Sequence, residues 1–352
     1  MLTLVMASNR LQSLRLFIEA WQPWPFDFFV LVFDNEDDNV AAHELLSATV
    51  HDGRYRVLTP EHVQGLGADG ECISVGDPGI KMLGLWFASA VLRHENVIIL
   101  DDDCYPFEGD VLQFAEGHLK NLHAYPKWKS PIEPYHIRGL PYFHHHEEPQ
   151  LENVVASVGL WHNVPDFDSV HSLARTRERE QISGFCAKHV ETSLLHPQQL
   201  MPLCGMNFAL RSSVAAACYF PKMGKGSPFY RFDDIWGGFI LQRVCRHLGL
   251  AIAYGNPCIE HIRASRPMDN LVREAQGIFA NEVLWKLIDS IYLSPDIKSV
   301  NQAVFEIGNQ LKSPVSTASL PKGELYDPLR AYIPQLGKYL HQWLNLMRRD
   351  HL

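Results

Sequence analysis

The chain lacks the features that mark several large classes of protein. Its 352 residues contain 31 Lys and Arg against 40 Asp and Glu, so the formal net charge is −9. A protein whose main partner is a nucleic-acid backbone concentrates positive charge, so this balance argues against that class. No apolar run approaches the ~18 to 20 residues that cross a bilayer, and the first residues, MLTLVMASNR, lack the basic region and apolar core expected of a secretion signal. We therefore expect a cytoplasmic protein without a membrane span.

The cysteines are few, odd in number and scattered. No C-x-x-C pair occurs, which argues against a disulfide scaffold or a zinc ribbon and favours a reduced compartment. The sequence also shows no internal repeat. The seven cysteines are at positions 72, 104, 186, 204, 218, 245 and 258.

The first hundred residues alternate between strand-like and helix-like segments. Near-continuous apolar runs predict buried strands, and amphipathic spacing predicts helices between them. This alternation favours an α/β protein with a mostly parallel central sheet flanked by helices on both faces. The predicted strands are Leu2–Ala7, Phe28–Phe33, Tyr55–Leu58 and Val97–Leu100, and the predicted helices are Leu11–Trp21 and Ile80–Leu92.

The remaining chain is regular only in parts. Residues 124–150 hold five prolines and the run His144 to His146, which is typical of an exposed loop. We predict one α/β domain over residues 1–290 and a helical C-terminal extension over residues 291–352. The predicted elements are strands at Val154–Leu160, Met206–Leu210 and Ala251–Tyr254, a helix at Asp233–Leu248, and helices from Pro267 onward with a polar break at Lys312–Lys322.

The segment VIILDDDCYP, residues 97–106, is the strongest local signal. An apolar strand delivers three successive carboxylates to its C-terminal end, where open α/β sheets place their ligands. Such close like charges repel unless a cation or hydrogen-bond donors compensate them. A hard divalent ion that bridges to a diphosphate would do so, with Asp101 and Asp103 on the same side of an extended strand. The alternative is a solvated acidic loop or helix cap.

Two further motifs are weaker. Asp34 follows an apolar strand and either binds a nucleobase or ribose or simply forms a turn. The stretch GLGADG, residues 65–70, matches G-x-G-x-x-G. A dinucleotide site needs a strand directly before this motif, and the candidate strand ends near Leu58, so we expect a flexible loop instead.

Acidic and basic residues in the last third complete the candidate set. In FDDIWGG, residues 232–238, one of Asp233 and Asp234 is expected to cap the helix and the other to bind or deprotonate a sugar hydroxyl. In CIEHIRAS, residues 258–265, His261 is either a surface histidine or a metal ligand. Arg263 and Lys225 are candidate phosphate contacts.

Taken together, these motifs resemble the reversibly glycosylated polypeptide family, which includes the plant UDP-arabinopyranose mutases. The resemblance covers residues 70 to 280. Its segments, in the family's order, are CIS at 72–74, DDDC at 101–104, IRGLPY at 137–142, GLWHNVPDFD at 159–168, MPLCGMNFAL at 201–210, FDDIWGG at 232–238, CRHLGL at 245–250, HIRAS at 261–265, NL at 270–271 and GIF at 277–279.

The resemblance implies a GT-A-type nucleotide-sugar fold in the 1–290 domain, with a UDP-sugar and a divalent metal (Mn²⁺ or Mg²⁺) bound at the carboxyl edge of the sheet. It also implies that Arg138 becomes glycosylated from the protein's own UDP-sugar. The expected metal ligands are Asp101, Asp103 and His261, and the expected catalytic residues are Arg138, Asp233 and Asp234. Contacts with the nucleotide-sugar are expected from Asn9, Asp34, Lys81, Asp101, Asp102, Asn207 and Arg263.

The sequence departs from the plant pattern between Arg138 and Val154 and over residues 219–230, which leaves the mutase activity itself open. The expected function is a metal-assisted UDP-sugar mutase or glycosyltransferase. The alternatives are a transferase in polysaccharide or glycoconjugate synthesis and a non-catalytic nucleotide-binding scaffold. A homo-oligomer is compatible with the exposed aromatic content, and a nucleic-acid partner is not expected.

Overall fold

A computed structural model describes residues 1–35, 37–50, 53–123, 125–126, 151–174, 187, 190–262 and 266–348. In these residues the strands are β1 (Leu2–Ser8), β2 (Phe28–Phe33), β3 (Tyr55–Leu58), β4 (Asn96–Asp101), β5 (Cys104–Pro106), β6 (Tyr125–Pro126), β7 (Leu151–Glu152), β8 (Val154–Asn163), β9 (Ser193–Leu194), β10 (Asn207–Arg211) and β11 (Ala251–His261). The α-helices are α1 (Leu11–Ala20), α2 (Asn39–Thr49), α3 (Pro60–Gly65), α4 (Lys81–Trp86), α5 (Val111–His123), α6 (Ser169–Ala174), α7 (Asp233–Leu248), α8 (Pro267–Ser290), α9 (Val300–Lys312), α10 (Pro314–Ala318) and α11 (Asp327–Arg348).

Nine of the described strands form one sheet in the order β3-β2-β1-β4-β10-β8-β11-β5, with β9 paired to β11. Strands β1, β2, β3, β4, β8 and β11 run in one direction, and β5, β9 and β10 run in the other. The prediction of a mostly parallel α/β sheet flanked by helices is therefore confirmed.

The apolar strands are continuous because both faces of the sheet are covered. Val5 packs into the core on one face, while Leu4 and Met6 pack into the core on the other. Alternate side chains of a strand point to opposite faces, so a strand that is covered on both sides must be apolar throughout. This is the pattern that the sequence shows at β1, β2 and β4.

Two predicted segments differ in detail. The span Ile80–Leu92 is not one α-helix, because α4 passes into a π-helix at Phe87–Val91. The GLGADG stretch is not a flexible loop, since a 3₁₀-helix covers Gly67–Cys72 directly after α3. The apolar pattern locates both segments, but it does not distinguish one helix type from another.

The C-terminal helices share the core of the sheet domain. Trp343 of α11 is buried, and its indole Nε1 donates to the Ala215 carbonyl at 3.3 Å. From the same helix, the Tyr332 hydroxyl donates to the Lys222 carbonyl at 2.6 Å. The division of the chain at residue 290 stays a prediction, but α11 is packed against the rest of the molecule. Within the described ranges, no helix combines the length and apolar character that crossing a membrane requires.

Candidate functional site

Two adjoining cavities open at the carboxyl edge of the sheet. The strand-end cavity, of about 420 Å³, lies where β1, β2, β4 and β11 end. The helix cavity, of about 700 Å³, lies beside the first turn of α7 and against α6 and α8. The residues that line both are Pro78, Lys81, Asp101, Asp166, Met206 and Arg231. The two cavities therefore form one continuous candidate site.

The three consecutive aspartates have three different sets of partners. The Asp102 carboxylate is paired with the Arg10 guanidinium and accepts a hydrogen bond of 2.6 Å from the Ser8 hydroxyl. Ser8 is the last residue of β1 and Arg10 lies two residues beyond it, and the Asp102 side chain is buried. Asp102 therefore ties β4 to β1, although it also lines the strand-end cavity.

Asp101 is paired with a buried lysine. Lys81 Nζ donates to the Asp101 carboxylate and, at 3.3 Å, to the Gly205 carbonyl. Burial alone would lower the pKa of Lys81, but the charge of Asp101 more than offsets this and the pKa is raised. Lys81 therefore remains a fixed positive charge between the two cavities.

Asp103 faces His261, and the sheet register explains why. Strand β5 pairs with the end of β11 so that His261 lies opposite Cys104, the residue after Asp103. The His261 Nδ1 lies 2.7 Å from the Val164 carbonyl, and a carbonyl can only accept, so Nδ1 carries a proton. This leaves Nε2, which lies 3.8 Å from the Asp103 carboxylate, as the available nitrogen. Burial, and then the charge of Asp101, raise the pKa of Asp103 to about 6.

This pair fits a divalent ion in part. Two atoms that bind one Mg²⁺ at ~2.1 Å are at most ~4.2 Å apart, and the 3.8 Å between His261 Nε2 and Asp103 is within that limit. A backbone carbonyl that fixes the other ring nitrogen is the usual arrangement for a metal-binding histidine. Among the residues that the structure describes, no three His, Cys, Asp or Glu side chains form a metal-binding group. A metal would therefore need further ligands from a substrate or water.

Asp233 and Asp234 open α7 beside the helix cavity, but they differ in their contacts. The Asp234 carboxylate accepts 2.8 Å and 2.9 Å hydrogen bonds from the backbone N–H groups of Gly205 and Ile235. Burial raises the pKa of Asp234 to about 6, and the Gly205 hydrogen bond opposes this rise. Burial, followed by the charges of Asp234 and Asp77, raises the pKa of Asp233 further above its usual range.

Besides Arg10, two further arginines add positive charge to the strand-end cavity. Arg231, which precedes the FDDIWGG segment, lines both cavities, and Arg273 of α8 lines the strand-end cavity. The Arg231 Nε donates to Glu274 at 2.8 Å. Its backbone has φ +63°, a left-handed conformation that costs a non-glycine residue free energy and that often marks a functional site.

The structure brings together most of the predicted site residues. Those that line the cavities are Asn9, Asp34, Lys81, Asp101, Asp102, Asp103, Asp233, Asp234 and His261. Asp34 is further held by the Gly76 N–H, which donates to its carboxylate at 2.9 Å. Arg138 and Arg263 lie outside the described residues. Lys225 is exposed and lines neither cavity.

Asn207 is the second described candidate, after Lys225, that does not line the site. Its side chain is buried within the sheet and lines neither cavity. The amide Nδ2 donates to the carbonyls of Leu160 and Pro257, and Oδ1 lies 2.9 Å from the His118 ring. These contacts hold neighbouring strands together, so we do not include Asn207 in the site.

Sequence reasoning missed five charged residues that line the strand-end cavity, which are Arg10, Asp77, Asp166, Arg231 and Arg273. Arg10 could have been found, because it follows the carboxyl end of the first parallel strand. Asp166 lies inside the GLWHNVPDFD segment, and Arg231 adjoins FDDIWGG. Asp77 and Arg273 belong to neither a motif nor a strand end, and only the fold brings them to the cavity.

The fold and the cavities define an open α/β protein with its candidate site at the carboxyl edge of the sheet, which is where this class binds ligands. The chain belongs to the reversibly glycosylated polypeptide family, whose model matches residues 2–337. The resemblance drawn from the motifs is thereby confirmed, and it extends to the N-terminal strand and into α11.

Curated relatives cover most of the chain. A probable UDP-arabinopyranose mutase 2 of Solanum tuberosum is 30% identical over 334 residues, which are 90% of this chain and 85% of the relative. The UDP-arabinopyranose mutase 2 of Arabidopsis thaliana is 28% identical over 332 residues, 90% of this chain and 87% of the relative. The UDP-arabinopyranose mutase 1 of Arabidopsis thaliana is 28% identical over 345 residues, 93% and 87% of the two chains.

Proposed function

We propose that the chain is a metal-assisted UDP-sugar mutase that interconverts the pyranose and furanose forms of a UDP-pentose. The names of its relatives support this reaction, and the GT-A-type description of the fold rests on the resemblance to them. The observation that carries the proposal is the Asp103–His261 pair, which lies in one cavity with Lys81 and three arginines at the carboxyl edge of the sheet.

The strand-end cavity is the proposed site of the nucleotide and its diphosphate. Arg231 and Arg273 would pair with phosphate oxygens. The Asp34 carboxylate would accept hydrogen bonds from the base or ribose, and the Asn9 side chain would donate or accept them. Asp103 and His261 would hold a Mn²⁺ or Mg²⁺ ion, with Asp101 nearby. When bound, the ion acts as a Lewis acid that neutralises charge on the departing diphosphate.

The helix cavity is the proposed site of the sugar. It joins the strand-end cavity at Lys81, Asp101 and Arg231. The sugar–phosphate bond would therefore lie near these three side chains. Cleavage of that bond leaves negative charge on the diphosphate. The positively charged side chains of Lys81 and Arg231 would stabilise this charge without having to move. Carboxylates on the sugar side would stabilise the positive charge that develops at the sugar carbon.

Product analysis tests this function. The pure protein is incubated with Mn²⁺ and a panel of UDP-sugars, and the products are separated by chromatography. We expect ring isomers of one or more UDP-pentoses, with Asp103→Ala nearly inactive because it removes a proposed metal ligand. Release of free UDP without a ring isomer would indicate a transferase or hydrolase, and no product from any UDP-sugar would favour a non-catalytic scaffold.

Glycosylation of the protein on Arg138 is a separate part of the proposal, and it rests on the family resemblance. Intact-mass spectrometry after incubation with a UDP-sugar should show one added sugar on the native chain and none on Arg138→Ala. An identical added mass on both proteins would exclude Arg138 as the attachment point. Cytoplasmic location and assembly into a homo-oligomer also stay predictions.

A further inference from the structure

Glu274 of α8 is a buried carboxylate that connects two other parts of the chain. The residue is only 6% exposed and lies at the wall of the helix cavity. Its Oε1 accepts a 2.8 Å hydrogen bond from Arg231 Nε. Its Oε2 accepts a 2.7 Å hydrogen bond from the backbone N–H of Ser169, the first residue of α6. Both oxygens are therefore engaged, and one side chain ties α8 to α6 and to the segment before α7.

The hydrogen bond from Arg231 is made through Nε, which decides what the rest of the guanidinium can do. An arginine carries five N–H donors in one plane, and four of them are on the two terminal nitrogens. Among the residues that the structure describes, the Arg231 side chain hydrogen-bonds to Glu274 alone. Because Arg231 lines both cavities, its two terminal nitrogens are left for a ligand there. Such a fork can pair with two oxygens of one phosphate group.

A second contact holds the same segment against α8. Gly277 follows Glu274 by three residues, so the two positions share one face of the helix. A Cβ built on Gly277 would lie only 2.4 Å from Phe232 Cδ2, so the glycine lets the Phe232 ring pack against the helix backbone. Two neighbouring positions of α8 therefore hold Arg231 and Phe232 in place. A backbone with φ +63°, as at Arg231, persists only where its surroundings impose it.

We propose that Glu274 is a positioning residue, which holds the Arg231 guanidinium with its terminal nitrogens directed at the diphosphate of the bound nucleotide. This inference rests on the proposed function, in which Arg231 pairs with phosphate oxygens. Glu274 acts through Arg231 and not on the substrate, since both of its oxygens already accept hydrogen bonds. An arginine that is held in advance loses less rotamer freedom when the ligand binds, which strengthens binding.

Titration with two probes separates positioning from a merely structural role. UDP carries the diphosphate, and uridine has the same base and ribose without it. Glu274→Gln keeps the size of the side chain, but an amide has only one acceptor oxygen and no charge, so one of the two hydrogen bonds is lost. The control is Glu116→Gln, which changes an exposed glutamate of α5 that lines neither cavity. Thermal unfolding verifies that each variant is folded.

We expect Glu274→Gln to bind UDP about 10-fold more weakly than wild type, and to bind uridine within about twofold of wild type, because only the phosphate contact is disturbed. Glu116→Gln should match wild type with both probes. In an Arg231→Met background, which has no guanidinium to position, Glu274→Gln should cause no further loss of UDP affinity. If Glu274→Gln does not fold, Glu274→Asp takes its place with the same expectations, since it retains the charge but is one methylene shorter.

The outcomes distinguish this role from the proposed function. If wild type binds UDP and Glu274→Gln binds it equally well, the positioning role is wrong and the proposed function stands. An equal loss of UDP and uridine affinity, or the same loss of UDP affinity with and without Arg231, would reveal a merely structural role and would also overturn the inference. If wild type does not bind UDP, the proposed function fails, and the positioning role fails with it.

Discussion

At the scale of single residues, the site depends on buried charges that are compensated in pairs. Lys81 and Asp101 form one such pair, and Arg10 and Asp102 form another. Removing one partner of a buried pair is more costly than removing both, because the remaining charge is left without compensation. The stability of the free protein should therefore depend on these residues even when no ligand is bound.

Lys81→Met should lower the free energy of unfolding by about 2 kcal/mol. Complete burial of both partners would give about 3 to 5 kcal/mol, but the Asp101 side chain is 34% exposed and water screens part of the effect. Urea unfolding measures the loss. The double variant Lys81→Met, Asp101→Asn should recover part of the lost free energy of unfolding. If the double variant instead loses as much as the two single variants added together, the pair is not coupled.

The buried carboxyl group of Asp234 should make stability depend on pH. Its pKa is raised to about 6, well above the ~3.9 of an aspartate in an unfolded chain, so the folded chain binds more protons than the unfolded chain between these values. Folded-state stability therefore falls as the pH rises from about 4 to about 6, by about 2 kcal/mol for this group.

This dependence is tested by measuring the urea unfolding midpoints of wild type and of Asp234→Asn at several pH values. The variant should show a shallower fall through the window, although it also loses one backbone hydrogen bond at all pH values. The exposed Asp296→Asn serves as the control and should leave the slope unchanged. An equal slope in wild type and Asp234→Asn would refute the raised pKa.

The sequence predicted the residue types at the site better than their roles. Asp101, Asp103 and His261 were identified because they follow apolar strands, and the fold places them at one edge. The pairing of Asp101 with Lys81, and the different contacts of Asp233 and Asp234, depend on hydrogen bonds between residues 20 and 29 positions apart in the sequence or on local backbone geometry. No spacing rule gives such contacts.

At the scale of elements, α4 lies unusually close to the sheet. A Cβ built on Gly84 would lie 2.6 Å from Val5 Cγ1 and 3.1 Å from Val32 Cγ2, both in buried strands. The glycine therefore lets the helix that carries Lys81 pack directly on β1 and β2. This close packing fixes Lys81 against the end of β4.

Gly84→Ala should lower the free energy of unfolding by about 1 to 2 kcal/mol. Overpacking against β-branched side chains outweighs the ~1 kcal/mol by which alanine favours a helix. Chemical denaturation provides the measurement. Gly65→Ala is the matched control, since nothing lies within 4 Å of its Cβ position and it should change stability little. An unchanged or raised stability in Gly84→Ala would show that the helix is not held this closely.

Most elements could be predicted because long apolar runs and amphipathic spacing are local properties. The helix Asp233–Leu248 has the predicted bounds, whereas β11 extends seven residues beyond the predicted Ala251–Tyr254, to His261. The extension contains Gly255, Asn256 and Pro257, which break the strand pattern in the sequence. A shift in the register of β8 and β11 accommodates them, and only then does His261 reach Asp103.

At the scale of the whole molecule, the C-terminal helices and the sheet domain form one core. Side chains of α11 pack in the same cluster as those of α4, α7 and β10. Besides the Trp343 and Tyr332 contacts, the Trp86 indole donates to the Leu346 carbonyl at 3.2 Å. We therefore expect the chain to unfold in one cooperative step.

Trp343→Ala should destabilise the whole protein by about 3 to 5 kcal/mol, since it leaves a cavity where a fully buried indole stood. Circular dichroism and intrinsic fluorescence should report the same lowered midpoint. Tyr292→Ala removes a mainly exposed aromatic side chain and should have little effect. Two separate transitions, with only the first one shifted, would show instead that the C-terminal helices unfold independently.

In the proposed function, Asp103 and His261 bind a divalent ion together with a nucleotide diphosphate. Calorimetric titration of UDP with and without Mn²⁺ tests this metal site. The proteins compared are wild type, Asp103→Asn and the control Asp37→Asn. Asp37 is exposed and follows the neighbouring strand β2, but it lines neither cavity. We predict that Mn²⁺ tightens UDP binding to wild type and to Asp37→Asn by about 10-fold or more, and that Asp103→Asn loses this gain. Equal UDP affinity with and without Mn²⁺ in wild type, or an undiminished gain in Asp103→Asn, would contradict the account.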